Sequence, residues 1–125
     1  MPYADALAEM ISADGLLLMQ AANCNAQIPA KAYEYLRAGR PMLALTDASG
    51  DTADLMRRAG AGAVARLDSS TEIGVALTTF VEQLRANTGS PSNREFTSLC
   101  SRRERTRVLA WILDEVALAG SHARR

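Results

Sequence analysis

The sequence has little of what builds cross-linked or metal-centred proteins: two cysteines and one histidine in 125 residues. Cys24 and Cys100 lie far apart, with no Cys-x-x-Cys pair and no Cys/His ligand spacing. No disulfide framework and no structural zinc site are therefore expected, and both cysteines read as reduced thiols of a cytosolic protein. An excess of one charge is also missing. Fourteen basic residues face fourteen acidic ones, so the formal net charge is zero and there is no general pull toward nucleic acid or an anionic surface. No nucleic-acid partner is expected, and any ligand must be inferred from a site. No apolar run approaches the ~20 residues that a membrane span requires. The opening "MPYADALAEM" carries acidic residues and no apolar h-region, so no export signal is read there. Internal repeats and low-complexity tracts are missing too.

What is present is ordinary for a globular chain, 48% hydrophobic and 22% charged, and its length suits one domain with a real core. From Ala4 to Ser12 the residues Leu7, Met10 and Ile11 recur at helical spacing, and "ADG" at 13–15 turns the chain. "LLLMQ" at 16–20 is an unbroken apolar run, as expected of a strand covered on both faces. The small, polar "AANCNAQ" leads to Pro29, suited to a first helical position because it has no N–H to leave unpaired. The helix that follows places Ile28, Ala32, Tyr35 and Leu36 on one face and stops at Gly39, with Pro41 close behind.

"PMLALT" predicts a second buried strand, "TADLMRRAG" a short helix closing at Gly60, and "GAVARL" a third strand. Ser69 with Glu72 forms a capping box for a helix striped by Ile73, Leu77, Phe80 and Leu84 and reaching about Arg85. "NTGSPSN" at 87–93 reads as a linker. Closing helices span about 94–118: a turn around Phe96, then a second capping box, Ser101 with Glu104, before a helix carrying Val108, Leu109, Trp111, Ile112 and Val116. Strand and helix alternate three times. That order predicts an α/β fold with parallel strands joined by right-handed crossovers, half of a doubly wound sheet with helices on both faces.

In such a sheet ligands bind at the carboxyl edge of the strands, where a helix start offers unpaired N–H groups to an anion. The loop 20–28 and the helix start at 29–31 occupy that place. Lys31 adds a full charge there, since helical side chains lean toward the amino end. Glu34, one turn deeper, suits the two hydroxyls of a ribose better than a phosphate. Phosphate and ribose together mean a nucleotide. The competing reading is an i, i+3 ion pair on a solvated face, worth about 0.2–0.5 kcal/mol, and spacing alone does not choose between them.

Other features carry plainer readings beside functional ones. In "DASGDT", Gly50 would let its backbone approach a ligand, or the stretch is a turn with Asp51 capping the next helix. His122, in the tail "GSHARR", reads as part of a frayed end. The basic run Arg102, Arg103, Arg105 and Arg107 fits peripheral contact with an anionic membrane, or, with Glu104 interspersed, a solvated helix face. Trp111 and Ile112 read as core or domain-contact residues.

The segments "ADGLLLMQ", "IPAKAYEYLRAGRPMLALTD" and "GDTADLMRRAGAGAV" together resemble the carboxyl-terminal, donor-binding domain of retaining glycosyltransferases with two Rossmann-like domains, the family 4 group. The likeness spans nearly the whole chain, including "SRRERTRVLAWILDEV", which is similar to the closing helix of such enzymes. It implies a Rossmann-like domain over 1–125, about three strands of it present, binding a nucleoside diphosphate sugar through Gln27, Ile28, Ala30, Lys31 and Glu34. Backbone at the helix start would hold the diphosphate, Lys31 would neutralise the charge that develops on it, and Glu34 would bind the ribose.

Many members carry a second glutamate eight residues before the one matching Glu34, near the donor sugar; here Ala26 stands there, with Gln27 beside it. The resemblance also implies an acceptor domain elsewhere in a longer enzyme, no cofactor and no metal, and a chain inactive in isolation. Its first strand would have neighboured an upstream one, so self-association is expected. A non-catalytic nucleotide-binding or protein-interaction module of the same fold is the alternative.

Overall fold

The structure, a computed structural model, describes residues 2–122, with side chains as far as Ala119. Three short parallel strands form one sheet in the order β1 (Leu16–Met19), β2 (Met42–Leu45), β3 (Ala63–Ala65). Leu16 stands opposite Met42, and Leu43 opposite Ala63. The connections are α2 (Ala30–Ala38) between β1 and β2, and α3 (Asp51–Ala59) between β2 and β3; α1 (Tyr3–Ser12) precedes the sheet and α4 (Ser70–Arg85) follows it. Two further helices, α5 (Arg94–Leu99) and α6 (Arg102–His122), close the chain. The expected α/β order and its parallel sheet are present.

The pleat divides the core in two. On one face Leu16, Leu18, Met42 and Ala44 meet Ala32 and Leu36 of α2 and Leu55, Met56 and Ala59 of α3. On the other, Leu43, Leu45 and Ala65 meet Phe80 of α4, with Ile73, Ala76 and Leu84 around it. All four residues of β2 are buried, as an unbroken apolar run predicts for a central strand. The same expectation fails for β1. Leu17 and Met19 are 40% and 64% exposed, because α4 packs over β2 and β3 and leaves the second face of β1 bare. β1 also ends the sheet, so its outer edge has no partner strand among the described residues.

Local chemistry accounts for most boundaries. α2 and α3 end at Gly39 and Gly60, both left-handed at φ +68° and +58°. Pro29 proves to be the residue before α2 rather than its first, with an extended ψ of 143°. Ser69 accepts from the Glu72 amide, but Glu72 reaches the amide of Arg66, so only half of the capping box forms. The second box behaves alike: Ser101 accepts from the Glu104 amide while Glu104 pairs with Arg107.

The stretch 87–93 is not a free linker. The Ser92 hydroxyl, buried, donates to the Leu36 carbonyl at 2.7 Å, and the Asn93 amide donates to the Ala59 carbonyl at 2.8 Å. These bonds seat α5 against α2 and α3, with Asn93 capping α5 through the Glu95 and Phe96 amides.

α6 runs past its expected end near 118 to His122, whose side chain lies outside the described ones. From Arg105 to Ala119 every residue of α6 is exposed. Trp111 at 63% and Ile112 at 45% are therefore not core residues, since the helix leaves the body after its first turns. Cys24 and Cys100 are free thiols, half-buried in different parts of the fold. Among the described residues, no helix is long and apolar enough to cross a membrane.

Gly62 tests the packing of β3 against β2. It sits at φ +78°, and a Cβ there would lie 1.7 Å from the Met42 carbonyl oxygen, whereas one at Gly39 would meet nothing within 4 Å. Gly39→Ala is expected to cost about 1–2 kcal/mol for the left-handed backbone alone. Gly62→Ala should cost on the order of 3 kcal/mol or more, because β2 or β3 must also shift. Urea unfolding of the two variants checks this, and equal losses would show that the strand contact is not as tight as described.

Candidate functional site

At the carboxyl edge of the sheet the loop after β1 is built around one amide. Gln20 follows the apolar strand and is buried. Its Nε2 donates to the carbonyls of Cys24 at 2.9 Å and Gln27 at 2.7 Å, and its Oε1 accepts from the Thr46 hydroxyl at 3.4 Å. The side chain thus serves as an inner template for residues 20–27, and it joins that loop to the end of β2. Gln20 supplies a donor to two carbonyls of the loop, and the Gln27 carbonyl also accepts from Thr52.

The loop after β2 closes against the first. Asn25 Nδ2 donates to Asp47 Oδ2 at 2.8 Å, the Asp51 amide donates to the Asn25 carbonyl at 2.9 Å, and the Thr52 hydroxyl donates to the Gln27 carbonyl at 3.3 Å. Asn25 Oδ1 is buried there without a hydrogen-bond partner. A Cβ on Gly50 would come within 3.3 Å of that oxygen. The missing side chain at Gly50 thus lets the two loops come close, and Gly50 rather than Asp51 precedes α3 as its cap residue.

Asp47 accepts from both the amide and the hydroxyl of Ser49, at 2.8 and 2.7 Å. The Ser49 amide, then its hydroxyl, then the Asn25 amide hold the Asp47 carboxyl down to about 2.

α2 begins on this platform without a side-chain cap, since Pro29 offers none. Ala30 and Lys31, the first two helical residues, are exposed and have no carbonyl one turn back within the helix for their amides. Glu34 is half-buried one turn on, lining a groove between α2, α5 and the start of α6. Among the described residues Lys31 and Glu34 form no ion pair with each other; the carboxylates that do pair are Asp54, Asp68 and Glu104.

Gln27 is exposed, and its carbonyl is occupied by Gln20 and Thr52. Ile28 packs its side chain against the core. The five residues singled out in the sequence are thus contiguous but differ in role: Gln27 and Ile28 brace the loop, Ala30 and Lys31 form the open helix start, and Glu34 faces the groove. Gln20 and Thr46 escaped sequence reading. Their signal is a polar residue ending each of two apolar strands, "LLLMQ" and "PMLALT".

No family model, no curated protein and no solved structure matches the chain.

The link between the two loops is open to a pH test. Because the Asp47 carboxyl is depressed in the folded state, its contribution to stability is complete above the ordinary value of 3.8 and is lost as pH falls toward 2. Carboxyl-detected NMR should find Asp47 titrating near pH 2, and Ser49→Ala should raise that midpoint, since one of two Ser49 donors is removed. A midpoint near 3.8 in the unaltered protein would mean that the turn does not hold in solution.

Proposed function

We propose that the chain is the nucleotide-sugar-binding portion of a retaining glycosyltransferase, with a Rossmann-like sheet, acting on a nucleoside diphosphate sugar together with a separate acceptor-binding domain. The observation that carries this reading is the pairing of an uncapped helix start with Lys31 beside it and an unpaired Glu34 one turn deeper. Amides at Ala30 and Lys31 would receive the diphosphate, aided by the partial positive charge of α2. Glu34 would accept from the two ribose hydroxyls and so fix where the anomeric carbon sits.

The reaction class follows from these parts. Bond cleavage at the anomeric carbon places charge on the leaving diphosphate, and donors already aimed at that charge lower the barrier without reorganising. Lys31 is the residue proposed for that task. The acceptor site and the upstream donor contacts would lie outside this chain, so this chain alone transfers no sugar on the present reading.

Two variants test the site. Glu34→Gln should weaken nucleoside diphosphate binding by about 1.5–3 kcal/mol, roughly ten- to a hundred-fold, with folding little changed. Lys31→Met should weaken diphosphates more than nucleosides, because it removes charge opposite phosphate and spares the ribose contact. Calorimetric titration with a nucleoside and its diphosphate decides: equal affinity in the unaltered protein and Glu34→Gln would sink the assignment.

A second expectation concerns surfaces. The open edge of β1, with Leu17 and Met19 bare beside it, fits a sheet continued by a partner. The chain on its own should therefore self-associate through that edge. Light scattering that finds a monomer at all concentrations, together with hydrogen-exchange protection of β1, would argue against it.

A further inference from the structure

We propose that the far end of the groove between α2, α5 and α6 is a second anion site, one that takes a phosphate-rich ligand. The groove has a volume of about 1520 Å³ and is lined by six arginines: Arg37, Arg40, Arg94, Arg102, Arg103 and Arg105. The only carboxylate among its lining residues is Glu34. The chain as a whole is neutral, so this concentration is a polarisation of charge across the molecule, not a reflection of composition.

Contacts within the fold account for only some of these arginines. Of the five described arginines outside the groove four are paired, Arg57 and Arg58 with Asp54, Arg66 with Asp68, and Arg107 with Glu104, and Arg85 is not. Among the described residues, none of the six groove arginines has a carboxylate within ion-pair distance. Arg37, in the last turn of α2, suits the negative end of that helix. Arg102 and Arg103 do the opposite. They open α6, where a cation opposes the helix dipole, and crowding them near Arg94 and Arg105 adds repulsion.

The site consists of the guanidinium groups, not the α6 amides, since Ser101 already caps the amide of Glu104. Two arginines are held in place. Arg40 donates through Nε to the Ile11 carbonyl at 2.7 Å, and Arg105 lies 5.3 Å from the centre of the Tyr33 ring. Both keep further N–H groups for a ligand, because a guanidinium has five.

Phosphate is the anion that suits this wall. Its tetrahedral oxygens accept several guanidinium forks at once, with charge-assisted bonds about twice as strong as neutral ones. The volume and the number of arginines suit a ligand with more than one phosphate. Arg37 lies six residues along α2 from Lys31, and Ala30 and Glu34 of the donor site proposed above line the other end of the same groove. Such phosphates occur on free compounds and on lipid headgroups. The exposed apolar residues Val108, Leu109 and Ile112, next along α6, are where a lipid surface would continue.

The test uses the whole chain at physiological salt. Calorimetry with inorganic tripolyphosphate probes the free source; co-sedimentation with phosphatidylcholine vesicles, with and without phosphatidylglycerol, probes the headgroup. The expected result is binding to at least one anionic probe, weakened about tenfold in Arg102→Gln/Arg103→Gln and weakened in the same sense by Arg94→Gln on its separate helix. The charge-matched pair Arg57→Gln/Arg85→Gln, outside the groove, should change it less than twofold. Binding of tripolyphosphate assigns a soluble phosphate compound, and binding of anionic vesicles alone assigns a headgroup. The proposal is overturned if the unaltered protein binds neither probe, or if the groove pair and the charge-matched pair weaken binding equally.

Discussion

Everything in this small fold hangs on β2. Met42, Leu43, Ala44 and Leu45 are buried on both sides, and each half of the core is one face of this strand with the helices that cover it. Burying each of Met42, Leu43 and Leu45 contributes ~1.5–3 kcal/mol, and Ala44 lets the helices on its face pack close to the strand. Gly62 allows β3 to come close beside this strand, and the pinned stretch 87–93 brings α5 to the body through carbonyls of α2 and α3. The outer elements are placed by what they touch around β2.

Fixing β2 also fixes where the polar ends of the strands meet. Thr46, at its end, donates to Gln20 at the end of β1, and Gln20 in turn holds the carbonyls of the loop that leads into α2. The Asn25 amide and the Asp47 carboxylate then lock the two carboxyl-edge loops together. A rigid platform therefore lies under an uncapped helix start, which is the arrangement an anion-binding site needs: donors held in place before the ligand arrives. The proposed roles of Lys31 and Glu34 rest on that platform more than on either residue alone.

The periphery is less balanced than the centre. Leu17 and Met19 of β1 and the apolar residues of α6 from Val108 on are exposed to solvent, and the outer edge of β1 has no partner strand among the described residues. The six arginines gathered around the groove face one lining carboxylate, Glu34, and among the described residues none of them forms an ion pair. Repulsion among like charges and uncovered apolar area are both relieved by a bound partner.

By itself the sequence determined the order of the elements. Apolar runs of strand length alternate with 3.6-residue stripes, and Gly39, Gly60, Ser69, Asn93 and Ser101 punctuate them through local chemistry that needs no distant partner. The stretch around Ala30, Lys31 and Glu34 was legible for the same reason, since a helix start after a strand is a local event. Only the tertiary structure decided coverage and company. "LLLMQ" and "PMLALT" look equally buried, yet β1 lies at an end of the sheet and β2 at its centre, a difference set by how many neighbours the fold supplies. Gln20 and Thr46 read as ordinary strand ends until the parallel register brought them together, and Arg37, Arg40 and Arg94 acquired meaning only when α5 folded back along α2 beside the start of α6. Periodicity states which face of an element is apolar; which molecule or element meets that face depends on contacts between residues far apart in the chain.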